Sequence, residues 1–409
     1  MAAERRGKRT HTGRFLTVQT LAGFSQWIDV FLIFSIPSFL WQASPARIAL
    51  LAALFGIPSL FLGPFIGAFL DRIDPRRILY LGIFARSVLT AAIAFAPNYW
   101  SFAALTLLKG LANLCYWPAS SIITNRLVGS NERVRYFSSL SALDQVSKIV
   151  TPLIAGALTL LLNSQVIFLF SACMTMVAAA LLPRLLSKTG LHWKAPTSGE
   201  KHSPVRLRDI LNLPRNLIVT IALSVGISLS LAVYDPHLAR FLSHSGFNPR
   251  TFSIVVSSTG VGAVTGALLV RFFFANATVA SLVRSGIGIF TIAITSAAVI
   301  SSFYMEYAGV GTLVVLWLLN GLGYELFMIG SGVNLQNLCP VSMLGRVSTS
   351  VRSLQMLVVV TGPSIGAWLI SAHSWSMPFV VAAAFAWLLL GLSITGLKAN
   401  FSRPFGKAA

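Results

Sequence analysis

Charged side chains are scarce in this sequence. They account for 10% of the 409 residues, whereas a soluble chain usually carries about 25%. Hydrophobic residues reach 55%, and apolar runs of roughly 20 residues recur, each long enough to cross a bilayer core of about 30 Å as a helix. Because backbone groups that face lipid must be satisfied within their own segment, these runs should be helical. The shortage of charge excludes an ordinary soluble protein and predicts an all-α membrane protein with many spans.

Cysteines are few, and motifs for catalysis or cofactors are missing. The three cysteines, Cys115, Cys173 and Cys339, lie in or beside apolar runs without paired spacing, so we expect neither a disulfide framework nor a metal site. The sequence has no nucleotide-binding loop of the form Gly-x-x-x-x-Gly-Lys-Ser/Thr, which argues against direct drive by ATP. No loop contains a nucleophile–base arrangement. We therefore expect a protein that is not an enzyme and uses no cofactor.

The apolar runs predict twelve membrane spans in two groups of six. A segment rich in Lys, Arg, Pro and Ser, residues 186–215, would be a cytoplasmic linker between an N-terminal six-helix bundle, 1–185, and a C-terminal one, 216–409. The predicted spans are residues 15–41, 47–70, 78–96, 100–125, 137–162, 166–185, 216–242, 251–273, 279–303, 308–333, 347–371 and 377–397.

The positive charges predict the orientation of these spans. If the N-terminus is cytoplasmic, only Arg47, Arg240 and Arg250 fall in loops on the opposite side, out of 31 Lys and Arg residues. Both termini should then be cytoplasmic. The first apolar run is too long and too polar for a cleaved signal, so we interpret it as an uncleaved span. The net charge of +20 thus reflects topology and contact with the lipid bilayer, and we do not expect nucleic-acid binding.

An internal repeat supports the division into two halves. Residues 138–157 align without gaps onto residues 348–367, with Gln145 on Gln355, so that span 5 corresponds to span 11. Two parallel halves related by an axis along the membrane normal form a known transporter plan, with the substrate site between them.

The stretch GAFLDRIDPRR forms a charged loop between spans 2 and 3. It resembles the signature loop of the major facilitator superfamily, Gly-x-x-x-Asp-Arg-x-x-x-Arg-Arg/Lys, although Asp74 stands where that family often has Gly. The arginines alone would also fit an ordinary loop on the cytoplasmic side. Five residues fall on the signature positions: Gly67, Asp71, Arg72, Arg76 and Arg77.

This resemblance extends over the whole chain and has functional implications. In detail the sequence is similar to the drug-exporter branch with macrolide efflux pumps and bacterial siderophore exporters. Lys109 replaces the arginine of the family's Arg-x-x-x-Gly element, and TPLIAGA in span 5 matches its antiporter motif only weakly. The resemblance implies a cytoplasmic gate at the signature loop, closing against the start of span 11. It also implies a bacterial inner-membrane protein that exports a drug-like, siderophore-like or other amphipathic molecule by alternating access.

Ionisable side chains at membrane depth mark candidate sites, because they are costly there and normally face a protein interior or a watery cavity. We consider Asp29 and Glu325 the first candidates for proton coupling and Asp144 another, since a carboxyl group in such a cavity can exchange a proton when its surroundings change. Each can instead be a permanently paired charge: Asp144 with Lys148, Asp29 with Lys109, or Glu325 with Arg352.

Polar and aromatic residues on the same spans are candidates for substrate contact. Aromatic walls suit a large amphipathic ligand, although each such residue can equally serve packing. The candidates are Gln26, Lys109, Tyr116, Trp117, Lys148, Asn320, Tyr324, Arg352 and Gln355. Asp235 and His237, at the outer end of span 7, are interpreted as rim residues.

The predicted partners are a small-molecule substrate, protons and the bilayer, and we expect a monomer. Two alternatives to export stay open at this point. One is a proton-coupled importer of a siderophore or related metabolite. The other is a transporter-derived membrane sensor without net transport, for which the linker leaves little room for an output domain.

Overall fold

The residues that the structure describes fold almost entirely into helices. The computed structural model describes residues 2–70, 73–114, 116–128, 133–187, 214–273, 277–339 and 341–396. Seven of the described helices belong to the first half: α1 (Ala2–Phe39), α2 (Pro45–Leu70), α3 (Pro75–Ala94), α4 (Tyr99–Leu114), α5 (Tyr116–Leu127), α6 (Arg133–Leu161) and α7 (Ser164–Ser187).

In the described part of the second half we find seven further α-helices and three short irregular turns of helix. The 3-10 turn Asp235–His237 joins α8 to α9, and a π-helical turn, Ile300–Tyr304, with a 3-10 turn, Met305–Tyr307, follows α11. The α-helices are α8 (Arg215–Tyr234), α9 (Leu238–His244), α10 (Pro249–Phe272), α11 (Val279–Val299), α12 (Val310–Leu338), α13 (Val341–Ala372) and α14 (Met377–Gly396).

Ten of the described helical segments are long and apolar enough to cross a membrane. They correspond to ten of the twelve predicted spans, and the predicted fold class, an all-α membrane protein, is confirmed. The predicted span 100–125 is helical in two pieces, α4 and α5, on either side of residue 115. The predicted span 137–162 lies in α6, whose apolar stretch is the shorter Val146–Thr159.

The chain divides into two compact units. The first comprises residues 1–41 and 54–201, and the second comprises residues 42–53 and 202–409. The sequence had placed all of α2 in the N-terminal bundle, so the assignment of 42–53 was not anticipated. Most of the predicted linker lies outside the described residues, and the predicted domain boundaries stay a prediction.

Hydrogen bonds fix the short segment 42–53 within the second unit. The Nε atom of Arg240 donates to the carbonyl oxygen of Ala43 at 2.9 Å, and the Nε2 atom of Gln42 donates to Ser243 Oγ at 2.9 Å. The Arg240 guanidinium also lies 5.5 Å from the ring centre of Trp375. The loop before α2 is therefore held by α9 and by the connection between α13 and α14.

In the first unit, α7 packs against α1 and α3, while α1 also packs on α6 and α3 on α4 and α5. Apolar side chains fill one end of this bundle, with Phe15, Ile83 and Leu182 almost fully buried. The bundle interior therefore lies where α1, α3 and α7 meet, and polar side chains in that region need partners within the protein.

Glycines bring the helices of the second unit into close contact. A Cβ atom on Gly321 of α12 would lie 1.9 Å from the carbonyl oxygen of Thr259 on α10, and one on Gly323 would lie 2.5 Å from the backbone nitrogen of Phe290 on α11. Small residues permit such close packing of membrane helices. α12 is thus held between α10 and α11 at backbone contact.

Candidate functional site

Five polar side chains meet in the interior of the first unit, and we call them the buried charge cluster. They come from α1, α3, α4 and α7, and none is more than 2% exposed. Charges at membrane depth require partners inside the protein or water in a cavity. The members are Asp29, Arg86, Thr90, Lys109 and Ser171.

Both carboxylate oxygens of Asp29 accept hydrogen bonds within this cluster. Lys109 Nζ forms an ion pair with Asp29 Oδ2 and also donates to Thr90 Oγ1. Thr90 Oγ1 donates to Asp29 Oδ2 at 3.1 Å, and Ser171 Oγ donates to Asp29 Oδ1 at 2.6 Å. The structure therefore contains the Asp29–Lys109 pair, one of the alternatives that the sequence left open, in a fully buried form.

Arg86 gives the buried charge cluster a second cation. Its Nη2 atom donates to the carbonyl oxygen of Ala22 at 3.0 Å, and its guanidinium lies 5.4 Å from the ring centre of Tyr116. Its Nε atom has no hydrogen-bond partner among the described residues. Sequence reasoning located Arg86 inside a span without making it a site candidate, although an intramembrane arginine is itself a signal. The hydroxyl groups of Thr90 and Ser171 do not mark a functional site in the sequence in this way.

A second ionic site in the first unit is accessible, and we call it the half-exposed ion pair. Lys148 Nζ lies 2.8 Å from Asp144 Oδ2 on the next turn of α6, with side-chain exposures of 34% and 36%. Trp27 Nε1 of α1 donates to Asp144 Oδ1 at 3.0 Å, and Lys148 Nζ lies 5.1 Å from the Trp27 ring centre. Trp27 was not among the predicted site residues.

The position of the half-exposed ion pair gives it functional interest. Asp144 lies just before the apolar stretch Val146–Thr159 of α6, and Lys148 lies near its start. A charged pair that is only partly covered beside an apolar stretch needs water or polar groups next to it, which favours a water-accessible wall. The indole N–H and ring of Trp27 add a hydrogen-bond donor and a cation–π surface to that wall.

The second unit contains a cavity of about 280 Å³ between α8, α12 and α13, which we call the second-unit cavity. The predicted substrate residues Arg352 and Gln355 of α13 line it. Glu325, which the sequence offered as one possible partner of Arg352, is not among the residues that line the cavity. Further lining residues are Thr220, Ser224, Met328 and Ser331.

Two other predicted substrate residues pack inside their units instead. Tyr116 is 6% exposed, in the apolar core beneath Arg86. Asn320 is 5% exposed, and its Nδ2 donates to the hydroxyl of Tyr234 at 2.8 Å. Both placements favour the packing role that the sequence left open.

The structure gives less information about the four remaining candidate side chains. Gln26, Tyr324 and Glu325 are partly buried, and a Cβ atom on Gly266 would lie 3.4 Å from Glu325 Cβ. The Trp117 side chain lies outside the described part of the chain, although its backbone belongs to α5.

The predicted cytoplasmic gate is only partly described. Asp71 and Arg72 lie outside the described residues, and Gly67 lies in α2. Arg77 is exposed in the first turn of α3. The gating role of these residues stays a prediction.

Asp74 holds the turn before α3. Its Oδ1 atom accepts from the backbone nitrogen of Arg76 at 2.9 Å, and its Oδ2 atom lies 2.6 Å from Arg76 Nη2. Burial would raise the pKa of Asp74, but the hydrogen bonds from Arg76 and the charges of Arg76 and Arg77 lower that pKa below its ordinary value. This helix cap is therefore ionised at neutral pH.

Comparison with known proteins identifies relatives of the chain. The family model described as Major Facilitator Superfamily matches residues 15–305. An uncharacterized MFS-type transporter, YfiS of Bacillus subtilis, is 23% identical over 402 residues, covering 95% of this chain and 94% of the relative. The quinolone resistance protein NorA of Staphylococcus aureus is 23% identical over 232 residues, covering 56% of this chain and 57% of NorA.

A solved structure shares the fold. A bacterial homologue of the iron transporter ferroportin, in an inward-facing state, superposes with a TM-score of 0.75 at 16% identity, covering 96% of this chain and 99% of the homologue. At this identity the likeness concerns the fold.

Proposed function

This chain belongs to the Major Facilitator Superfamily, and from that membership we propose that it is a proton-coupled exporter of an amphipathic small molecule. It would work by alternating access, as a monomer in a bacterial inner membrane with both termini in the cytoplasm. The outward movement of the solute would be driven by the inward movement of protons.

The half-exposed ion pair is the observation that carries this proposal. Asp144 is accessible near the middle of α6, and its charge is balanced by Lys148 at 2.8 Å. When Asp144 accepts a proton, Lys148 loses its counter-charge, so protonation changes the net charge of the accessible wall. An accessible carboxyl group with this effect suits a proton carrier better than the fully bonded carboxylate of Asp29.

One relative supports the proposed class of solute. NorA is named for quinolone resistance, and about half of this chain aligns with it. Quinolones combine flat aromatic rings with polar groups. Trp27 offers an aromatic surface to such a molecule, and the neighbouring Asp144 and Lys148 offer charges.

Transport in proteoliposomes tests the proposal, with a fluorescent quinolone as the probe. We expect the quinolone to accumulate in vesicles with an acidic lumen, because proton efflux then drives solute entry by exchange. Accumulation only when the outside is acidic would instead indicate symport and hence import. Binding without accumulation under either gradient would indicate a sensor. Protein-free vesicles control for passive trapping of the probe.

A carboxyl substitution tests the carrier. Asp144→Asn should abolish gradient-driven accumulation while exchange of labelled quinolone at equal pH continues, because exchange needs no net proton movement. Glu306→Gln removes an exposed acid and serves as the matched control. Full gradient-driven accumulation in Asp144→Asn would exclude Asp144 as the carrier. Glu325→Gln, tested in parallel, examines the second candidate.

A further inference from the structure

We propose that the second-unit cavity binds the oxyanion of an amphipathic solute, a carboxylate or similar group attached to an apolar body, through Arg352 and Gln355. The inference rests on the proposed function and specifies the class of its substrate. It depends on which hydrogen-bond donors of the cavity wall are free, and on the charges around them.

The free donors come from α13. Arg352 and Gln355 are three residues apart and so share a face of this helix. Among the described residues, neither side chain has a hydrogen-bond or ion-pair partner, and Arg352 is exposed. An arginine presents five N–H donors in a planar fork, and a glutamine amide presents two more. The wall of α13 therefore offers unused donors to a ligand.

The hydroxyl groups of the cavity direct their protons elsewhere. Thr220 Oγ1 donates to the carbonyl oxygen of Asn216 at 2.8 Å, and Ser224 Oγ donates to that of Thr220 at 2.9 Å. On α12, Ser331 Oγ donates to the carbonyl oxygen of Met328 at 3.2 Å. An acceptor on the ligand would thus meet the guanidinium and the amide rather than these hydroxyls.

The charge around the cavity favours an anion. The described lining residues include Arg352 and no acid. The acid on α12, Glu325, lies one turn before Met328 and beside Gly266 of α10, outside the lining. The guanidinium fork matches a carboxylate in two parallel hydrogen bonds, which are stronger than bonds between neutral groups.

The rest of the wall is apolar and fits the body of an amphipathic molecule. Ile221, Met328, Leu335 and Val351 line the cavity beside the polar residues. Its volume of about 280 Å³ lies near the lower end of the range for small-molecule sites. A ring system with one acidic group is therefore of suitable size and polarity.

A matched pair of probes tests this inference by binding alone. Naphthalene-2-carboxylate and naphthalene-2-carboxamide differ in charge and little in shape. In nanodiscs of zwitterionic lipid, we expect the carboxylate to bind the purified protein more tightly than the amide. Arg352→Gln should weaken carboxylate binding by roughly tenfold or more, the usual range for a hydrogen bond to a charged group. Arg352→Lys should give an intermediate loss because it keeps the charge without the fork.

Arg250→Gln is the matched control, because it removes the same charge from an exposed site at the start of α10. Equal binding of the two probes, or unchanged carboxylate binding in a folded Arg352→Gln protein, would overturn the inference. Nanodiscs with phosphatidylglycerol identify the source of the oxyanion: competition would indicate a lipid headgroup, and unchanged affinity a soluble solute.

The outcomes separate this inference from the proposed function. Charge-selective binding without any transport would leave the oxyanion site standing and remove the exporter proposal. Gradient-driven quinolone transport with no charge-selective binding would leave the exporter proposal standing and remove the oxyanion site.

Discussion

Two lysine–aspartate pairs in the first unit share their chemistry and differ in environment. The pair of Asp29 and Lys109 is fully buried, and both carboxylate oxygens of Asp29 accept hydrogen bonds. The pair of Asp144 and Lys148 is about one-third exposed. A buried pair loses most of its stability when one partner is removed, because the other charge stays uncompensated, whereas an exposed pair contributes little.

Removal of the cation from each pair should therefore have unequal effects on stability. Lys109→Met leaves the carboxylate of Asp29 buried without its cation and should cost about 3–5 kcal/mol. Lys148→Met, the matched control, should cost at most about 1 kcal/mol. The apparent unfolding temperature of the purified proteins, followed by intrinsic fluorescence, measures the difference.

A double substitution separates charge from packing. Asp29→Asn combined with Lys109→Met removes both charges, so part of the lost stability should return. If Lys109→Met and Lys148→Met lower the unfolding temperature equally, the buried charge cluster has no special structural role.

The two pairs also show what the sequence reveals and what it does not. The position of Asp29 and Asp144 within spans follows from hydropathy, and so does their distance from the span ends. The direction of each side chain around its helix depends on packing. Asp29 faces Thr90 and Ser171. Such hydroxyl side chains are common in membrane helices, so the sequence does not show that these two bind a carboxylate. The sequence therefore preferred Asp29 as the proton carrier, while the structure leaves Asp144 accessible.

At the scale of elements, span positions were predictable because length and apolar composition determine them. The 3-10 turn Asp235–His237, which interrupts the predicted span 216–242, was not anticipated, although Pro236 signals a break in the helix. The hydrogen bond between Asn320 and Tyr234 places this break beside the eleventh residue of α12, about 15 Å from its start at a rise of 1.5 Å per residue. Asp235 consequently lies deeper than the predicted rim position.

The glycine contacts of α12 lead to a prediction about helix packing. In Gly321→Ala, the new Cβ would lie 1.9 Å from the carbonyl oxygen of Thr259, which is backbone and cannot rotate away. α10 and α12 must then separate, at a cost of about 1–3 kcal/mol for overpacking. The yield of folded protein and its unfolding temperature should both fall.

Gly288 of α11 provides the matched control for that substitution. A Cβ atom there would meet no other atom within 4 Å. Gly288→Ala should be neutral or slightly stabilising, because alanine favours a helix over glycine by up to about 1 kcal/mol. Equal destabilisation by both substitutions would show that the close approach of α10 and α12 does not limit stability.

At the scale of the whole molecule, the proposed exporter would give access to the solute site from one side of the membrane at a time. The signature loop supplies the candidate for closure on the cytoplasmic side. Asp74 of this loop caps α3: it accepts a hydrogen bond from the backbone nitrogen of Arg76 and forms an ion pair with the Arg76 side chain. The acid that the resemblance places at the gate is Asp71, which lies outside the described residues.

Asp71→Asn should increase the share of molecules open to the cytoplasm, because it removes the charge on which closure is expected to depend. The reporter is Val351→Cys, a position that lines the second-unit cavity, in a protein whose native cysteines are replaced by serine. Labelling by a membrane-impermeant maleimide from the cytoplasmic side should become faster. Glu306→Gln is the control, since it removes an exposed acid outside the signature loop and the rate should not change. An unchanged rate in Asp71→Asn, or an equal increase in both variants, would remove Asp71 from the gate.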